Sequence, residues 1–242
     1  MELAVAQRLI ELNREFYKNF GREFSSTRQR LQPGVKRVLE MLAGSESILD
    51  LGCGNGELTR ELMRRDHRGQ YAGVDFSRPL LEVARQGWED LPATFLCADL
   101  AAPDWDKKVL ASVNRPFDLV FAFAVLHHIP EQGRRLNLLS KAHALLREGG
   151  RFIHSEWQFL NSGKLKSRVQ PWSEIGLSAA DVDADDYLLD WRGGGRGLRY
   201  VHHFSEAELE ALAVASGFRV REGFLSDGEN NRLGLYQVWE AV

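Results

Sequence analysis

Cysteine is scarce in this chain of 242 residues, which contains only Cys53 and Cys97. A secreted scaffold held by disulfides would need more, so a reducing cytoplasm is the expected location. No apolar run approaches the roughly 18 residues that a membrane span requires. The first residues also lack a basic start followed by an apolar run, so no signal peptide is predicted. These absences predict a cytoplasmic protein with no membrane partner.

An excess of basic charge is also missing, because 31 Lys and Arg residues stand against 34 Asp and Glu residues and give a net charge of −3. A protein that binds nucleic acid through its phosphates usually carries a basic patch, and the overall balance gives no sign of one. The histidine pairs His127-His128 and His202-His203 have no thiolate cluster beside them, so no metal site is predicted.

Strand-like and helix-like segments alternate along most of the chain. The strand-like segments are residues 47–51, 71–75, 94–97, 117–123 and 151–156. This alternation predicts an α/β fold with a doubly wound, mostly parallel sheet covered by helices on both faces. Residues 218–224 and 233–239 also predict strands. Because no crossover helix fits between these two, they are expected to pair antiparallel at the sheet edge.

Two regions lie outside this alternation. Residues 1–43 predict a helical extension, beginning with an amphipathic helix that Gly21 is expected to end. Residues 157–198 contain several tryptophans and a glycine run, and we interpret them as an inserted lid that faces the substrate. The alternative for that region is a structureless loop. The whole chain, residues 1–242, is predicted to be one domain.

A glycine-rich loop follows the first strand and reads Asp50-Leu-Gly-Cys-Gly-Asn-Gly56. Glycine lets the main chain turn with positive φ and approach a ligand closely. Dinucleotide-binding folds hold a pyrophosphate here with the spacing G-x-G-x-x-G. The spacing in this chain is G-x-G-x-G, and Asp50 would repel a pyrophosphate but attract the ammonium group of S-adenosylmethionine (SAM). We therefore predict that SAM is the cofactor and assign to its site Asp50, Gly52, Cys53, Gly54, Asn55 and Gly56.

Two further carboxylates end the next strands. Asp75 ends the second strand and is expected to accept hydrogen bonds from both ribose hydroxyls of the cofactor. Asp99 ends the third, where its side chain, with the main chain of Leu100, is expected to meet the exocyclic amine of adenine. Three acids at strand ends beside a glycine loop predict a SAM site more strongly than any one of them. Residues at the ends of the second and fourth strands are assigned to the same site, namely Phe76, Ala122 and Phe123.

Adjacent histidines, His127 and His128, lie at the exit of the fourth strand. Ligands of open α/β sheets sit beyond the carboxyl ends of the strands, so this exit is expected to face the transferred methyl group. We predict that one of the two histidines lines the transfer site, and both are candidate catalytic residues. The alternative is that one packs locally and the other faces solvent.

The block from Ile48 to Gly56, with Val74-Asp75, Ala98-Asp99 and Phe117-Asp118, resembles the class I SAM-dependent methyltransferases. That family implies a Rossmann-like sheet of seven strands with one antiparallel edge strand. It also implies an enzyme that transfers a methyl group from SAM.

Four shorter segments resemble the tRNA wobble-uridine carboxymethyl methyltransferases, which esterify the carboxymethyl group of a modified uridine in the anticodon. They are Phe24 to Arg28, Ala124 to His128 followed by Arg134-Arg135, Asp186 to Trp191, and Arg199 to Phe204 followed by Glu208-Leu209. The resemblance implies that Arg28 lies near SAM, and that Arg199 and His127 or His128 lie near the substrate carboxylate. The chain departs from the family pattern at Asp190, which replaces a proline, and at Val201, which replaces an aromatic residue. The eukaryotic enzymes also work with a small activator protein, which is therefore a candidate partner.

Other functions remain open at this point. The closest keeps SAM and replaces tRNA with a small molecule that has an oxygen, nitrogen or carboxyl acceptor. A basic surface around residues 22–37 and 164–168 would favour RNA, whereas scattered charges would favour the small molecule. A SAM-binding module without catalysis and a nicotinamide-dependent oxidoreductase are further alternatives. For Arg199 the alternative is an ion pair with one of the acids in residues 181–186.

Overall fold

The computed structural model describes residues 1–26, 30–86, 93–113, 116–193 and 195–242, with the main chain alone for residues 22–26. The strands are β1 Ile48–Leu51, β2 Tyr71–Asp75, β3 Ala93–Cys97, β4 Phe117–Phe123, β5 Leu146–Trp157, β6 Val169–Gln170, β7 Asp186–Trp191, β8 Gly197–His202, β9 Phe218–Ser226 and β10 Gly234–Ala241. The helices are α1 Leu3–Ser26, α2 Pro33–Leu39, α3 Glu57–Arg64, α4 Arg78–Ala84, α5 Asp106–Ser112, α6 Gln132–Leu145, α7 Gly163–Lys166 and α8 Glu206–Ala215.

Seven strands form the central sheet in the order β3-β2-β1-β4-β5-β10-β9. The first five run parallel, and β10 runs antiparallel to both β5 and β9. The predicted doubly wound sheet with an antiparallel pair at one edge is therefore confirmed. Within that pair β10 lies inside and β9 forms the edge.

Helices cover both faces of the sheet, because successive residues of a strand point to opposite sides. On one face α2 and α3 pack through Val38 and Leu58. On the other face α5, α6 and α8 contribute Val109, Leu138 and Leu209. Because β1 to β5 run parallel, their carboxyl ends lie together at one end of the sheet.

The pair Gly149-Gly150 follows α6 in sequence, and two adjacent glycines predict that a helix ends at them. The helix ends earlier, and the two glycines lie within the bounds of β5. Phe117 of β4 pairs with Leu146, whereas Leu119 pairs with Arg151, so the β5 side carries extra residues at this point. Glycine suits such a bulge because Gly149 takes a positive φ of 67°.

The first helix, α1, continues through Gly21, where the sequence predicts its end. A glycine in a helix costs only about 1 kcal/mol relative to alanine, and burial of Leu9 and Phe16 on the inner face offsets that cost. Among the described helices, none combines the length and the apolar composition needed to cross a bilayer.

A second sheet of three antiparallel strands, β6, β7 and β8, follows β5. It packs against α1, where the rings of Phe16 and Trp191 meet edge to face at 6.2 Å. β8 also contacts the 3₁₀ turn Leu126–His128 that follows β4. The second sheet thus lies beside the exit of β4. Its interpretation as part of a substrate-facing insertion in one domain stays a prediction.

Candidate active site

A cavity of about 290 Å³ opens at the carboxyl ends of the parallel strands and is bordered by α1. Its volume lies at the lower end of those of small-molecule sites, which run from roughly 300 to 1,000 Å³. The wall residues that carry polar groups or belong to the glycine loop include Asn13, Arg14, Tyr17, Asp50, Gly52, Cys53, Gly54, Asn55, Asp75, Asp99 and His128. Of the apolar residues assigned from sequence, Phe76, Leu100 and Phe123 also line it.

The glycine loop lines one side of the cavity, and its conformation leaves no room for a Cβ at two of its glycines. Gly52 has φ of 75°, and a Cβ there would lie 2.6 Å from the Val125 side chain. Gly56 has φ of 78°, caps α3 and would bring a Cβ within 3.0 Å of Ala84. Cys53 lines the cavity between them, and burial raises the pKa of its thiol, which therefore stays protonated. The loop exposes main chain to a ligand where larger residues would not fit.

The buried carboxyl of Asp50 is the first acid at the cavity. The Tyr71 hydroxyl donates a hydrogen bond of 2.6 Å to its Oδ2. Burial raises the pKa of Asp50 to about 7, although the Tyr71 bond acts in the opposite direction. A cation placed beside this carboxyl would favour its ionised form.

Asp75, at the end of β2, holds the glycine loop in place. Its carboxylate accepts the main-chain N–H of Gly54 at 3.0 Å and that of Ser77 at 2.8 Å. Burial raises its pKa, and these main-chain bonds act against the increase. Each carboxylate oxygen has a second lone pair, so Asp75 can still accept hydrogen bonds from a ligand.

Asp99 is tied to α1 by an interaction that the sequence does not indicate. Arg14 donates to Asp99 Oδ2 through Nε at 2.9 Å and also through Nη2. Asp99 Oδ1 accepts the main-chain N–H of Ala101 at 2.9 Å. The two Arg14 bonds fill the lone pairs of Oδ2, and Oδ1 keeps one for an amine such as that of adenine.

The structure places the two histidines differently. The turn that carries them starts at Ala124, whose φ of 58° is unusual for a residue other than glycine. His127 is buried, and its Nδ1 and main-chain N–H both contact Glu156 Oε2, at 2.8 and 3.1 Å. His128 lines the cavity. Only His128 is therefore positioned to meet a ligand in this cavity.

Behind His127, Glu156 belongs to a buried pair with His154. The His154 Nδ1 lies 2.9 Å from Glu156 Oε1, and both side chains are fully buried. Burial lowers the pKa of His154 to about 3 and raises that of Glu156 well above its usual value. Through Glu156 this cluster holds the turn that carries His127, and neither Glu156 nor His154 lines the cavity.

His128 makes two contacts that reach other elements. Its Nε2 lies 3.0 Å from the Tyr17 hydroxyl of α1, and its Nδ1 lies 3.2 Å from the main-chain oxygen of Tyr200 in β8. The Tyr17 ring also meets Phe76 edge to face at 5.9 Å. α1, the second sheet and the exit of β4 therefore meet at this histidine.

Arg199, predicted to bind a carboxylate, is buried in the second sheet. Its guanidinium lies over the Trp157 ring at 4.7 Å and over the Phe16 ring at 5.4 Å. Among the acids proposed as alternative partners, Asp186 accepts bonds from Tyr200 and His202. Arg199 is thus held by aromatic rings beside, rather than within, the cavity wall.

Three of the four segments that resemble the tRNA enzymes meet in one buried network. Arg135 donates to the Tyr200 hydroxyl at 2.9 Å, and that hydroxyl donates to Asp186 at 2.7 Å. His202 bridges Asp186 and Glu208, at 2.7 and 3.0 Å. Although burial acts to lower it, these two carboxylates raise the pKa of His202. The network joins α6, α8 and the second sheet.

Several residues assigned from the sequence lie elsewhere. Within the described residues, the cavity wall omits Gly56, Ala122, His127 and Arg199. Arg28 lies outside the described residues. Five residues of α1 that line the cavity were missed, and three of them have polar side chains, namely Asn13, Arg14 and Tyr17. Their spacing puts them on one helical turn, and no local motif marks polar residues on a helix as ligand-facing.

Known proteins resemble the chain along most of its length. A family model described as a methyltransferase domain matches residues 24–222. A protein of Encephalitozoon cuniculi, provisionally named a methyltransferase, is 31% identical over 207 residues, which are 85% of this chain and 86% of that relative. The tRNA (carboxymethyluridine(34)-5-O)-methyltransferase of Arabidopsis thaliana is 28% identical over 184 residues, which are 74% of this chain but only 38% of that relative.

Solved structures share the fold. The 1,6-didemethyltoxoflavin-N1-methyltransferase of Burkholderia thailandensis, with S-adenosylhomocysteine bound, has a TM-score of 0.64 and 21% identity, and the match covers 99% of this chain and 89% of that chain. A SAM-dependent methyltransferase of Methanosarcina mazei has a TM-score of 0.63 and 18% identity, covering 88% and 98%. With the family match, these findings confirm the resemblance seen in the glycine loop: the chain belongs to the methyltransferase-domain family and has the fold of SAM-dependent methyltransferases.

Proposed function

We propose that this enzyme transfers the methyl group of SAM to a carboxylate oxygen, and that the carboxymethyl group of a modified tRNA wobble uridine is its acceptor. The observation that carries the proposal is the contact between three segments resembling the tRNA enzymes. They meet around Arg135, Tyr200 and Asp186, and Tyr200 in turn touches His128 at the cavity. Motifs that are scattered in sequence thus adjoin the predicted transfer site.

The cavity residues fit the cofactor. SAM, when bound, supplies an electrophilic methyl group on a sulfonium. Gly52 and Gly54 leave room for close approach, and the Asp50 carboxyl is an acceptor for an ammonium group. Asp75 and Asp99 keep lone pairs for ribose hydroxyls and for an adenine amine. The assignment of these individual roles is part of the proposal.

A carboxylate is already a nucleophile at neutral pH, so the acceptor needs alignment and desolvation rather than a strong base. Phe123, Val125 and Ile129 give the cavity an apolar part of its wall, against which an acceptor can lose bound water. The Arg199 guanidinium is buried against Trp157 beside the cavity wall, and it is the cation proposed to attract the acceptor carboxylate to that side of the cavity. Buried from water, its charge acts at close range with little screening.

The similarity to the Arabidopsis enzyme supports this acceptor, although the chain spans only 38% of that protein. We therefore propose for this chain the methyl transfer, and no activity of the remaining part of the Arabidopsis protein. A small activator partner and a cytoplasmic location stay predictions.

A small-molecule acceptor is the second candidate, and the pairing of two surface arginines with acids favours it. Arg37 lies in the region expected to be basic, but it pairs with Glu222 at 2.8 Å. Arg196 likewise pairs with Glu174 at 3.0 Å. The Burkholderia enzyme, which was solved with a small aromatic molecule bound, has a fold that covers 99% of this chain. Paired charges attract a polyanion less than a continuous basic patch does.

The test supplies labelled SAM with tRNA that retains unesterified carboxymethyluridine, and mass spectrometry identifies the labelled nucleoside. Label in the carboxymethyl ester is expected. Arg199→Ala should lower kcat/KM about tenfold to a hundredfold, the effect of one charge-assisted hydrogen bond. Arg196→Ala, an exposed arginine near the same strand, should change it little.

Calorimetric titration with S-adenosylhomocysteine checks that both variants keep the cofactor site. Label that enters a small-molecule extract, with tRNA unlabelled, would replace the tRNA proposal with the second candidate. Equal losses in the Arg199 and Arg196 variants would remove the role given to Arg199.

A further inference from the structure

The side chain of Asn13 is buried on the inner face of α1, with 6% of its surface exposed. Its Oδ1 accepts the main-chain N–H of Tyr200 at 2.8 Å. Its Nδ2 donates to the Tyr200 oxygen at 3.2 Å and to the His128 oxygen at 3.3 Å. The opposite orientation of the amide would face the Nδ2 group to an N–H and Oδ1 to two oxygens. The partners therefore fix which way the amide points.

The same Tyr200 oxygen lies 3.2 Å from His128 Nδ1. A carbonyl oxygen only accepts hydrogen bonds, so Nδ1 must carry the hydrogen in this contact. In the neutral imidazole, Nε2 is then an acceptor, and the Tyr17 hydroxyl at 3.0 Å donates to it. The main chain of β8 thus selects one of the two neutral tautomers of His128.

We propose that Asn13 is a positioning residue that, by holding the Tyr200 main chain against His128, keeps the hydrogen on Nδ1 and turns Nε2 to the Tyr17 hydroxyl at the cavity wall. Asn13 binds both main-chain groups of Tyr200 and the oxygen of His128 at once. It therefore fixes the distance between the carbonyl that accepts and the ring that donates. One amide on α1 connects the first helix, the second sheet and the histidine turn.

The tautomer of His128 affects what a methyl acceptor meets in the cavity. His128 and Tyr17 both line the cavity, so the orientation of their polar atoms sets the hydrogen bonds that they offer to an acceptor. The identity of that acceptor rests on the proposed function. The tautomer of His128 does not, because it follows from contacts within the chain.

The test is ¹⁵N NMR of histidine-labelled full-length protein at a pH where His128 is neutral, with S-adenosylhomocysteine present. The chemical shifts of the two ring nitrogens report which one carries the hydrogen, and a His128→Gln variant assigns the signals. The wild type is expected to show hydrogen on Nδ1. Asn13→Ala should move the ratio of the two tautomers about fivefold toward hydrogen on Nε2, the effect of one net hydrogen bond.

Tyr17→Phe is the matched control on the same helix, because the Tyr17 hydroxyl can donate to a bare Nε2 or accept from a protonated one, so its loss costs both tautomers a hydrogen bond and leaves Tyr200 in place. In this variant the hydrogen of His128 should stay on Nδ1. Asn13→Ser removes the amide, introduces no charge and leaves only a short hydroxyl at this buried position, so it serves if Asn13→Ala does not fold. It should shift the ratio in the same direction.

Hydrogen on Nε2 in the wild type would overturn the inference, and so would an unchanged ratio in both Asn13 variants. A shift in Tyr17→Phe as large as in Asn13→Ala would assign the control of the tautomer to Tyr17 instead. Failure of the proposed function is separate, because it would show as absent methyl transfer with the expected NMR signals intact.

Discussion

Asp50→Asn should stabilise the cofactor-free protein near pH 8 while weakening its affinity for the cofactor. The carboxyl is fully buried, and burial raises its pKa from 3.8 to about 7. Near pH 8 it is ionised in both the folded and the unfolded state. The difference between the two pKa values corresponds to about 4 kcal/mol by which the buried charge destabilises the fold. Asparagine keeps the acceptor for the Tyr71 hydroxyl and carries no charge.

The destabilisation by Asp50 depends on pH, because the pKa of its carboxyl is higher in the folded state than in the unfolded state. A carboxyl whose pKa is raised in the folded state binds its proton more tightly there than in the unfolded state. Wild-type stability therefore falls as pH rises from about 4 to about 7 and levels off above that, and Asp50→Asn lacks this term. The stability difference should be largest above pH 7 and should vanish below about pH 4. Urea unfolding of both proteins across this range measures it.

Cofactor affinity should change in the opposite sense. If the ammonium group of the ligand lies beside Asp50, binding selects the ionised carboxylate. Wild-type affinity for S-adenosylhomocysteine should then fall about tenfold for each pH unit below 7 and stay nearly constant above 8. Tyr71→Phe removes a hydrogen bond that lowers the pKa of Asp50, so the midpoint should move to higher pH. Isothermal titration calorimetry at several pH values gives both curves.

Two results would refute this reasoning. An Asp50→Asn variant that is less stable than the wild type near pH 8 would show that the buried charge is compensated. A wild-type affinity that stays flat from pH 6 to pH 8 would show that the ammonium group does not meet Asp50.

Three further changes test other parts of the site. Gly52→Ala should weaken S-adenosylhomocysteine binding more than tenfold, because the new Cβ would lie 2.6 Å from the Val125 side chain at a φ of 75°. Calorimetry measures the affinity, and a near-normal value would show that the loop accommodates a side chain at this position. Arg135→Met should cost about 3 kcal/mol in urea unfolding, since the buried Asp186 and the partly exposed Glu208 then keep only His202 as a cation, and a cost under 1 kcal/mol would mean that the network is not ionised. Arg14→Ala should change stability by less than about 1 kcal/mol, because its pair with Asp99 is partly exposed, and a tenfold loss of cofactor affinity would instead mean that Arg14 contacts the ligand.

The ligand-facing edge of the sheet could be predicted because it depends on local signals. A glycine loop between a strand and a helix and acids at strand ends are visible in sequence. Parallel strands bring their carboxyl ends to one edge, so Asp50, Asp75 and Asp99 line one cavity. Their individual roles toward the cofactor stay predictions.

The contribution of α1 could not be predicted in the same way. Hydrophobic periodicity locates the buried stripe of a helix, and Phe16 lies on that stripe. It gives no information about polar neighbours of that stripe. Asn13, Arg14 and Tyr17 gain their partners outside α1, namely Tyr200, Asp99 and His128, because α1 lies across the strand ends.

The sequence by itself determined the alternating α/β order, the glycine loop and the position of two histidines at the exit of β4. Those features follow from local periodicity and from steric demands on single residues. The tertiary structure alone decided which histidine meets the cavity, since Glu156 of β5 engages His127 and Tyr200 of β8 engages His128. Both partners come from strands distant in sequence, and their approach is set by how the two sheets and α1 pack together.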